Sequence, residues 1–464
     1  MKKIIINLKV KLTIMGILLF FPASIVFADS SIFSTAEKYT VKIRSKTEYP
    51  FIKDYKGTLS GAGFLVSKEL GWIVTNAHVS TRNPSKIEVS FKGKKYVEGE
   101  LVYVDRLMDL AFIKISQGNI PDESKEASLD CSSDPEVGTA VGAYGHPFSL
   151  SYSGTRGIVS GMRYKWNRFL IQTDAAINKG NSGGPLISFD TGKVVGINTA
   201  SYSKNMSEGI GFAVSMNRVC KVLQLLKDGK DPTPPYVPVS FGYDADNEEE
   251  LRVAKVYKQT PVRWNLREND IIISLSKDTT KHFKNQADLI HSLRGKEGDV
   301  ELIINRTGKE QSVWVPVKIK PNLMHRVGLH VSGIVIAEDS LKDDEVMNVK
   351  KLLMIHNVES SSLGDTAVVL TSSYLSSVDG QLINSIYKLC IYFKNAEKEK
   401  KKVSLITKDI DWEYSARSKY LYHEIDVENV KIVGPNIGKD CECRALSIKS
   451  SLQEKVSEST KECS

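Results

Sequence analysis

Short apolar runs alternate with polar, glycine-rich turns over the first half of the chain. Between residues 41 and 214 these runs are rich in Val, Ile, Phe and Tyr, and Gly, Asn and Ser separate them. They predict strands at 86–91, 99–104, 110–115, 139–144, 169–173 and 194–198. Many short strands without helical patterns between them predict antiparallel barrels or a sandwich.

A helical pattern follows the last of these strands. Ser215 is its predicted N-cap, and Gly229 lies just past its predicted end. The apolar face of this helix consists of Val219, Val222, Leu223 and Leu226. Residues 231–238 contain four prolines, which predicts a stiff connector and a domain boundary.

Two further units are predicted beyond this proline-rich connector. Residues 239–325 show strand patterns at 251–257, 271–274, 300–304 and 313–317, and a helical pattern at 284–294. Residues 326–434 repeat the order more loosely, with strands at 331–336, 352–357 and 403–406 and a helix at 386–393. A turn is predicted at Asp379-Gly380. The charged run 394–402 is interpreted as a solvated helix end.

Length and charge narrow the class of protein. A chain of 464 residues is too long for one core and predicts two or three domains. The formal net charge is +8, but four lysines lie in residues 1–28, and the remainder carries only +4. That bias is too weak to indicate nucleic-acid binding. No nucleotide-binding motif or metal-ligand set is visible, so we expect no cofactor and no metal.

The N-terminal residues 1–28 have the pattern of an export signal peptide. Four lysines precede an apolar run at 12–21, and Val26-Phe27-Ala28 fits a cleavage site before Asp29. An uncleaved membrane anchor is the alternative, because residues 12–27 approach the length that spans a bilayer. We therefore expect an exported protein, in the periplasm if the source is a Gram-negative bacterium.

Six cysteines in an exported chain permit disulfides. Cys220 and Cys390 lie in apolar stretches and are predicted to be buried thiols. Cys131 stands alone in a polar segment. The C-terminal tail, residues 435–464, contains Cys441, Cys443 and Cys463. No histidine lies near these three to complete a zinc site, so a disulfide within the tail is favoured.

Three separate segments carry the residue types that acyl transfer requires. They are Asn181-Ser182-Gly183-Gly184-Pro185-Leu186, Thr75-Asn76-Ala77-His78-Val79 and Asp109-Leu110-Ala111. A serine hydroxyl is a poor nucleophile at neutral pH, so it needs a base and a group that orients the base. The chain order His, Asp, Ser is that of the chymotrypsin arrangement and differs from subtilisin and the α/β-hydrolases.

The sequence therefore predicts His78, Asp109 and Ser182 as a catalytic triad. Backbone N–H groups of Gly180 and Ser182 are predicted to bind the oxyanion, since glycine lets the loop turn its donors inward. Asp105 is the competing carboxylate, four residues before Asp109. A structural role is favoured for His146, on a second glycine-rich segment.

The same segments resemble the HtrA (Deg-type) serine proteases. Residues 61–64, 73–79, 109–111, 157–160, 172–186, 196–200 and 209–214 match that family in its order. The resemblance implies a mainly β fold, with a trypsin-like double β-barrel protease domain at 29–230. One clear PDZ domain (239–325) and one divergent PDZ-like domain (326–434) would follow the linker at 231–238.

The resemblance also implies binding residues. Ala176, Asn198, Thr199 and Ala200 would line the substrate pocket. Ala176 stands where trypsin-like specificity would place an acid, so small or branched aliphatic residues are expected at the cleavage site. The loop that receives a peptide carboxylate in the first PDZ domain would be Ser240, Phe241, Gly242 and Tyr243.

The leading hypothesis is an ATP-independent serine endopeptidase that degrades unfolded or misfolded exported proteins, in quality control and the stress response. Its PDZ domains would bind peptide C-termini or regulate assembly into a homotrimer or higher oligomer, in which Phe33 and Tyr39 are candidate contacts. Two alternatives stay open. One is a chaperone or peptide-binding protein with secondary or switched proteolysis, and the other is a dedicated processing or virulence protease.

Overall fold

The structure is a computed structural model. It describes residues 29–434 except 52–53, 81–85, 147–151, 166–167, 202–208, 243–249, 258–259, 277–281, 321–323, 325, 339–352 and 410–418. The predicted export segment, its alternative as a membrane anchor and the predicted tail disulfide lie outside the described residues. Among the described helices, none has the length and apolar composition needed to cross a bilayer.

The first six strands form a closed antiparallel barrel. They are β1 (Thr40–Thr47), β2 (Gly57–Ser67), β3 (Trp72–Thr75), β4 (Lys86–Phe91), β5 (Val97–Asp105) and β6 (Leu110–Lys114). The spatial order is β1-β2-β3-β6-β5-β4. Alternate residues of β1 face inward, and Val41 and Ile43 are fully buried beside Phe64 and Phe112. Helix α1 (Asp29–Glu37) precedes the barrel, and the single turn α2 (Ala77–Ser80) follows β3.

The next six strands form a second closed barrel. They are β7 (Ala140–Gly145), β8 (Ser153–Lys165), β9 (Arg168–Thr173), β10 (Pro185–Ser188), β11 (Val194–Ser201) and β12 (Gly211–Ser215). Their order is β10-β11-β12-β9-β8-β7. Val141, Val159, Ile171 and Leu186 fill its interior. The predicted double β-barrel is thereby confirmed.

Helix α3 (Met216–Lys227) closes this half of the chain and differs from the sequence-based prediction in two details. Ser215 occupies the N-cap position, but its hydroxyl donates to Asp134 instead of capping the helix. Cys220 forms a disulfide with Cys131, and Cys390 is disulfide-bonded as well. The prediction of two buried thiols is therefore wrong. The Cys131–Cys220 pair is 89 residues apart, and such a long-range contact cannot be read from local polarity.

A smaller unit follows α3. It contains β13 (Val239–Phe241), β14 (Val253–Val256), β15 (Ile271–Leu275), helix α4 (Gln286–Leu293), β16 (Gly298–Arg306) and β17 (Lys309–Val317). β13 pairs with β14, and β15, β16 and β17 form a second sheet. The predicted connector is hydrogen-bonded to the segment after β17, because the backbone N–H of Tyr236 donates to the Lys318 carbonyl at 2.9 Å. The Lys320 amide returns a bond to the Pro234 carbonyl at 3.1 Å.

The last unit is a seven-stranded antiparallel sheet. Its elements are β18 (Gly328–Val331), β19 (Ile334–Glu338), β20 (Leu353–Val358), α5 (Leu363–Thr366), β21 (Tyr374–Val378), α6 (Ile386–Glu399), β22 (Lys402–Asp409), β23 (Lys419–Asp426) and β24 (Lys431–Val433). The strand order is β23-β22-β21-β20-β19-β18-β24. Leu389, Cys390 and Phe393 of α6 pack into the core of this unit. The PDZ assignment of both units stays a prediction.

Two turns in this last unit can be compared with the sequence-based predictions, and one agrees while the other differs. The turn at Asp379-Gly380 is present, with both φ angles positive, at 45° and 72°. The continuous strand predicted at 331–336 is instead a hairpin. Ser332 and Gly333 adopt left-handed φ angles of 51° and 84° and separate β18 from β19.

The connection between β1 and β2 packs against this last sheet. The ring of Phe51 lies 5.0 Å from the ring of His356, and the ring of Tyr49 lies 4.9 Å from that of His330. Phe51 is only 2% exposed. Its apolar cluster contains Val335, Ala337 and Val433. The first barrel and the last unit therefore share buried apolar surface.

Candidate active site

A tight turn between β5 and β6 places Asp109 where the first barrel contacts β9 and β11 of the second. The turn is closed by the Asp105 carboxylate, which accepts from the Met108 N–H at 2.9 Å. Asp109 itself has a φ of 57°, a left-handed conformation that aspartate tolerates better than most residues. The side chain of Asn76 donates to the Asp109 carbonyl at 2.9 Å and fixes the backbone there.

His78, on the single turn α2, faces this carboxylate. Its Nδ1 lies 2.9 Å from Oδ2 and 3.1 Å from Oδ1 of Asp109, and its backbone N–H donates to Oδ1 at 3.1 Å. An ionised carboxylate only accepts, so Nδ1 carries the proton and Nε2 is left as the basic nitrogen. The His78 side chain is 44% exposed, whereas that of Asp109 is 6% exposed.

Two further groups contact the Asp109 carboxylate, and neither contact was predicted from the sequence. The hydroxyl of Thr199 on β11 donates to Oδ2, and Nη1 of Arg168 on β9 lies 3.8 Å from the same oxygen. Burial acts to raise the pKa of the Asp109 carboxyl. His78, Arg168 and the Thr199 hydroxyl outweigh burial, so the pKa lies below its usual value. Asp109 is thus held ionised.

Ser182 lies on the loop before β10. Its hydroxyl donates to the Thr199 carbonyl at 3.2 Å, and no hydrogen bond joins it to His78 in the part of the chain described here. Its carbonyl accepts from the Ala62 N–H of β2 at 2.8 Å, which ties the loop to the first barrel. Thr199 therefore contacts both Ser182 and Asp109, and it brings the three predicted triad residues to one place.

The glycines around Ser182 are required by close packing. A Cβ on Gly183, whose φ is 85°, would lie 2.1 Å from the Ala62 carbonyl oxygen, and one on Gly184 would lie 2.2 Å from that of Tyr144. Gly180 has a φ of 104°. The N–H groups of Gly180 and Ser182 donate to no acceptor among the described residues, which leaves both donors available to a ligand.

The predicted substrate-pocket residues have mixed environments. Ala176 is exposed, and its carbonyl accepts from Thr155 at 2.9 Å. The Asn198 side chain is buried, and its amide nitrogen donates to the Pro185 carbonyl at 3.0 Å within the barrel. The Thr199 hydroxyl is directed to Asp109. Ala200 lies on β11, and its side chain is outside what the structure describes.

The competing carboxylate Asp105 has a different role. It forms a buried ion pair of 2.6 Å with Arg294, which follows α4. His146 is also buried, and its ring packs edge-on against Tyr152 at 4.1 Å. Burial lowers the pKa of His146 to about 4. This ring is therefore neutral at physiological pH, in agreement with a structural role.

The predicted carboxylate loop lies on β13. Ser240 pairs with Lys255, and Phe241 pairs with Val253, across a bulge. The Gly242 N–H donates to the Arg252 carbonyl at 3.0 Å and is thus engaged. Tyr243 lies outside the described residues. Within the described ranges, no three His, Cys, Asp or Glu side chains are grouped so that they could hold a metal.

Comparisons with known proteins point to one family. Residues 61–197 match the family described as trypsin-like peptidase domain. The chain is 31% identical over 370 residues to a probable periplasmic serine endoprotease DegP-like of Chlamydia pneumoniae, covering 74% of this chain and 73% of that protein. It is 36% identical over 289 residues to the serine protease Do-like HtrA of Bacillus subtilis (strain 168), covering 54% and 62%.

A solved structure of the HtrA-type protease AlgW with tripeptide is also similar. It shares 26% identity and a TM-score of 0.52, over 63% of this chain and 97% of that chain. The chain thus spans 73% of its chlamydial relative but less than two thirds of the Bacillus subtilis protein.

Proposed function

The chain belongs to the HtrA (DegP-like) family of serine endoproteases, and from that premise we propose that it degrades unfolded or misfolded exported proteins without ATP. The observation that carries the proposal is the contact of His78 with Asp109, which Thr199 joins to Ser182 where the two barrels meet. Export fits relatives that are named periplasmic endoproteases. We place the protein in the periplasm on the same grounds.

In the proposed reaction Ser182 attacks the scissile carbonyl, and Nε2 of His78 takes its proton and returns it to the leaving amine. Asp109 holds the imidazole in the required tautomer and stabilises the imidazolium. Before attack, the Ser182 hydroxyl must leave the Thr199 carbonyl and turn to Nε2.

The tetrahedral intermediate carries a negative oxygen that needs preorganised donors. The N–H groups of Gly180 and Ser182 are assigned this role, because both lack an acceptor among the described residues and lie beside the nucleophile. Each such donor typically contributes about 3 kcal/mol to transition-state stabilisation.

Ala176 sets the proposed cleavage preference. A methyl side chain has no charge to pair with Lys or Arg, so small or branched aliphatic residues are favoured before the scissile bond. Binding of peptide C-termini at β13 is proposed on the sequence resemblance, through an added strand beside that edge.

Assembly into a homotrimer or higher oligomer is proposed on the same resemblance. Two rings are candidate contacts for it. Tyr39 is buried against Phe64 in its own chain. Phe33 stacks on Tyr144 at 5.5 Å and is only partly buried. Phe33 is therefore the more accessible of the two candidate contacts.

A chaperone with switched proteolysis is the second candidate. The hydrogen bond from Ser182 to Thr199, in place of one to His78, favours a site that is inactive until its nucleophile is realigned. In that case a bound polypeptide would supply the switch.

Substitution of the nucleophile tests both candidates. We expect Ser182→Ala to abolish cleavage of denatured casein. Ser132 is exposed and lies outside the proposed active site, so Ser132→Ala should retain wild-type rates. A serine-directed fluorophosphonate should label wild type and fail to label Ser182→Ala. Equal cleavage by wild type and Ser182→Ala would exclude Ser182 as the nucleophile. Suppressed aggregation without cleavage by either would favour the chaperone.

A further inference from the structure

We propose that Arg168 is a positioning residue of the active site, which holds the turn that carries Asp109 and balances the charge of the His78–Asp109 pair. This inference rests on the catalytic roles proposed for Ser182, His78 and Asp109. Arg168 is the first residue of β9, in the second barrel, whereas the turn belongs to the first barrel. The side chain thus crosses from one barrel to the other.

Two hydrogen bonds fix the turn. Nε of Arg168 donates to the Leu107 carbonyl at 2.8 Å, and Nη2 donates to the Arg106 carbonyl at 3.0 Å. The planar guanidinium presents its donors in a rigid fork. It can therefore hold two consecutive carbonyls at once, immediately before Met108 and Asp109, in a way that a lysine cannot copy.

The third nitrogen, Nη1, brings a positive charge to 3.8 Å from Oδ2 of Asp109. Oδ2 is also the oxygen nearest to Nδ1 of His78. The Arg168 side chain is 26% exposed and that of Asp109 6% exposed, so solvent screens this interaction only in part. The guanidinium stabilises the carboxylate and opposes a second positive charge on the imidazole.

Four neighbouring charged side chains are paired with one another. Asp105 is bound to Arg294, beside α4, at 2.6 Å, and Arg218 of α3 is bound to Asp288 of α4 at 2.7 Å. Arg106 lies on the turn itself, and β11 contributes the uncharged Thr199. The cation that faces Oδ2 from β9 is therefore Arg168.

Two substitutions separate the mechanical role from the electrostatic one. Arg168→Met removes the charge and both hydrogen bonds, whereas Arg168→Lys keeps the charge and loses the rigid fork. We expect kcat to fall about tenfold in both, because the turn loosens, with KM nearly unchanged. Only Arg168→Met should shift the acidic limb of kcat/KM, by about 0.5 pH unit to higher pH.

The measurement is kcat and KM from pH 5 to 9 on an unfolded protein substrate, with Arg163→Met as matched control. Arg163 is an exposed arginine on the neighbouring strand β8. Wild-type kinetics in Arg168→Met, or a lower kcat with an unmoved acidic limb, would overturn the proposal. Activity that survives in Ser182→Ala would instead refute the proposed function. In that case NMR titration of the His78 ring still tests the charge effect, since proton uptake should move to higher pH in Arg168→Met.

Discussion

A histidine follows one strand of each barrel, and the two side chains have opposite environments. On the first barrel, His78 is about half exposed and bound to the ionised Asp109. On the second, His146 is buried against Tyr152, and its backbone N–H donates to the Gly180 carbonyl at 3.1 Å. Partial exposure and a carboxylate partner suit a ring that exchanges protons, whereas burial suits a ring that stays neutral.

Removal of the carboxylate partner of His78 is expected to have the largest effect. We expect Asp109→Asn to lower kcat about 10,000-fold, because an amide can hold His78 in the wrong tautomer. Peptidase kinetics at pH 7 check this. His146→Gln and the exposed Asp190→Asn should stay within about threefold of wild type. A loss of similar size in His146→Gln would show that the two histidines are not functionally distinct.

The pH dependence of stability tests the other side of the comparison. The pKa of His146 is about 4 in the folded chain, against 6.5 for a free side chain. Between these values the unfolded chain binds a proton that the folded chain does not. The free energy of unfolding therefore falls as pH drops from 6.5 towards 4.

At pH 4.5 this term amounts to about 2 to 3 kcal/mol for one group. We expect His146→Gln, which does not titrate, to lose less stability than wild type between pH 7 and pH 4.5. Urea unfolding at both pH values gives the difference, and carboxylates that titrate in both proteins cancel. Identical losses would show that His146 is accessible to protons in the folded state.

The smallest expected effect concerns Thr199, which contacts both Asp109 and Ser182. Thr199→Val removes the hydroxyl that donates to Asp109 and keeps the shape of the side chain. We expect kcat to fall about tenfold with KM unchanged, because the carboxylate loses one charge-assisted hydrogen bond. Steady-state kinetics decide the matter. A higher KM with unchanged kcat would instead support the substrate-binding role that the sequence predicts for Thr199.

Local pattern predicted much of the fold. The run 86–91 coincides with β4, and the helical pattern at 284–294 contains α4. The prediction of one strand at 331–336 was wrong. Apolar residues flank Ser332-Gly333 on both sides, so the apolar pattern gave no sign of the turn. The helix predicted at 386–393 continues to Glu399, since its charged end still forms helical hydrogen bonds and ends at the left-handed Lys400.

Only part of the candidate active site could be predicted from the sequence. His78, Asp109 and Ser182 stand in motifs whose residue types already indicate acyl transfer. Arg168 and Thr199 stand in ordinary strands, and their contacts with Asp109 arise only when the second barrel closes beside the first. Neither the spacing nor the periodicity of the sequence indicates these contacts. For the same reason the sequence does not reveal that Cys131 pairs with Cys220.

The packing of Phe51 against the last sheet affects how the chain can be divided. Phe51 belongs to the first barrel's own hairpin connection, yet the surface that shields its ring comes from residues more than 270 positions later. A fragment ending before residue 326 would leave this aromatic ring in water, at a cost on the order of 2 kcal/mol. The last sheet thus supplies part of the apolar environment of the first barrel.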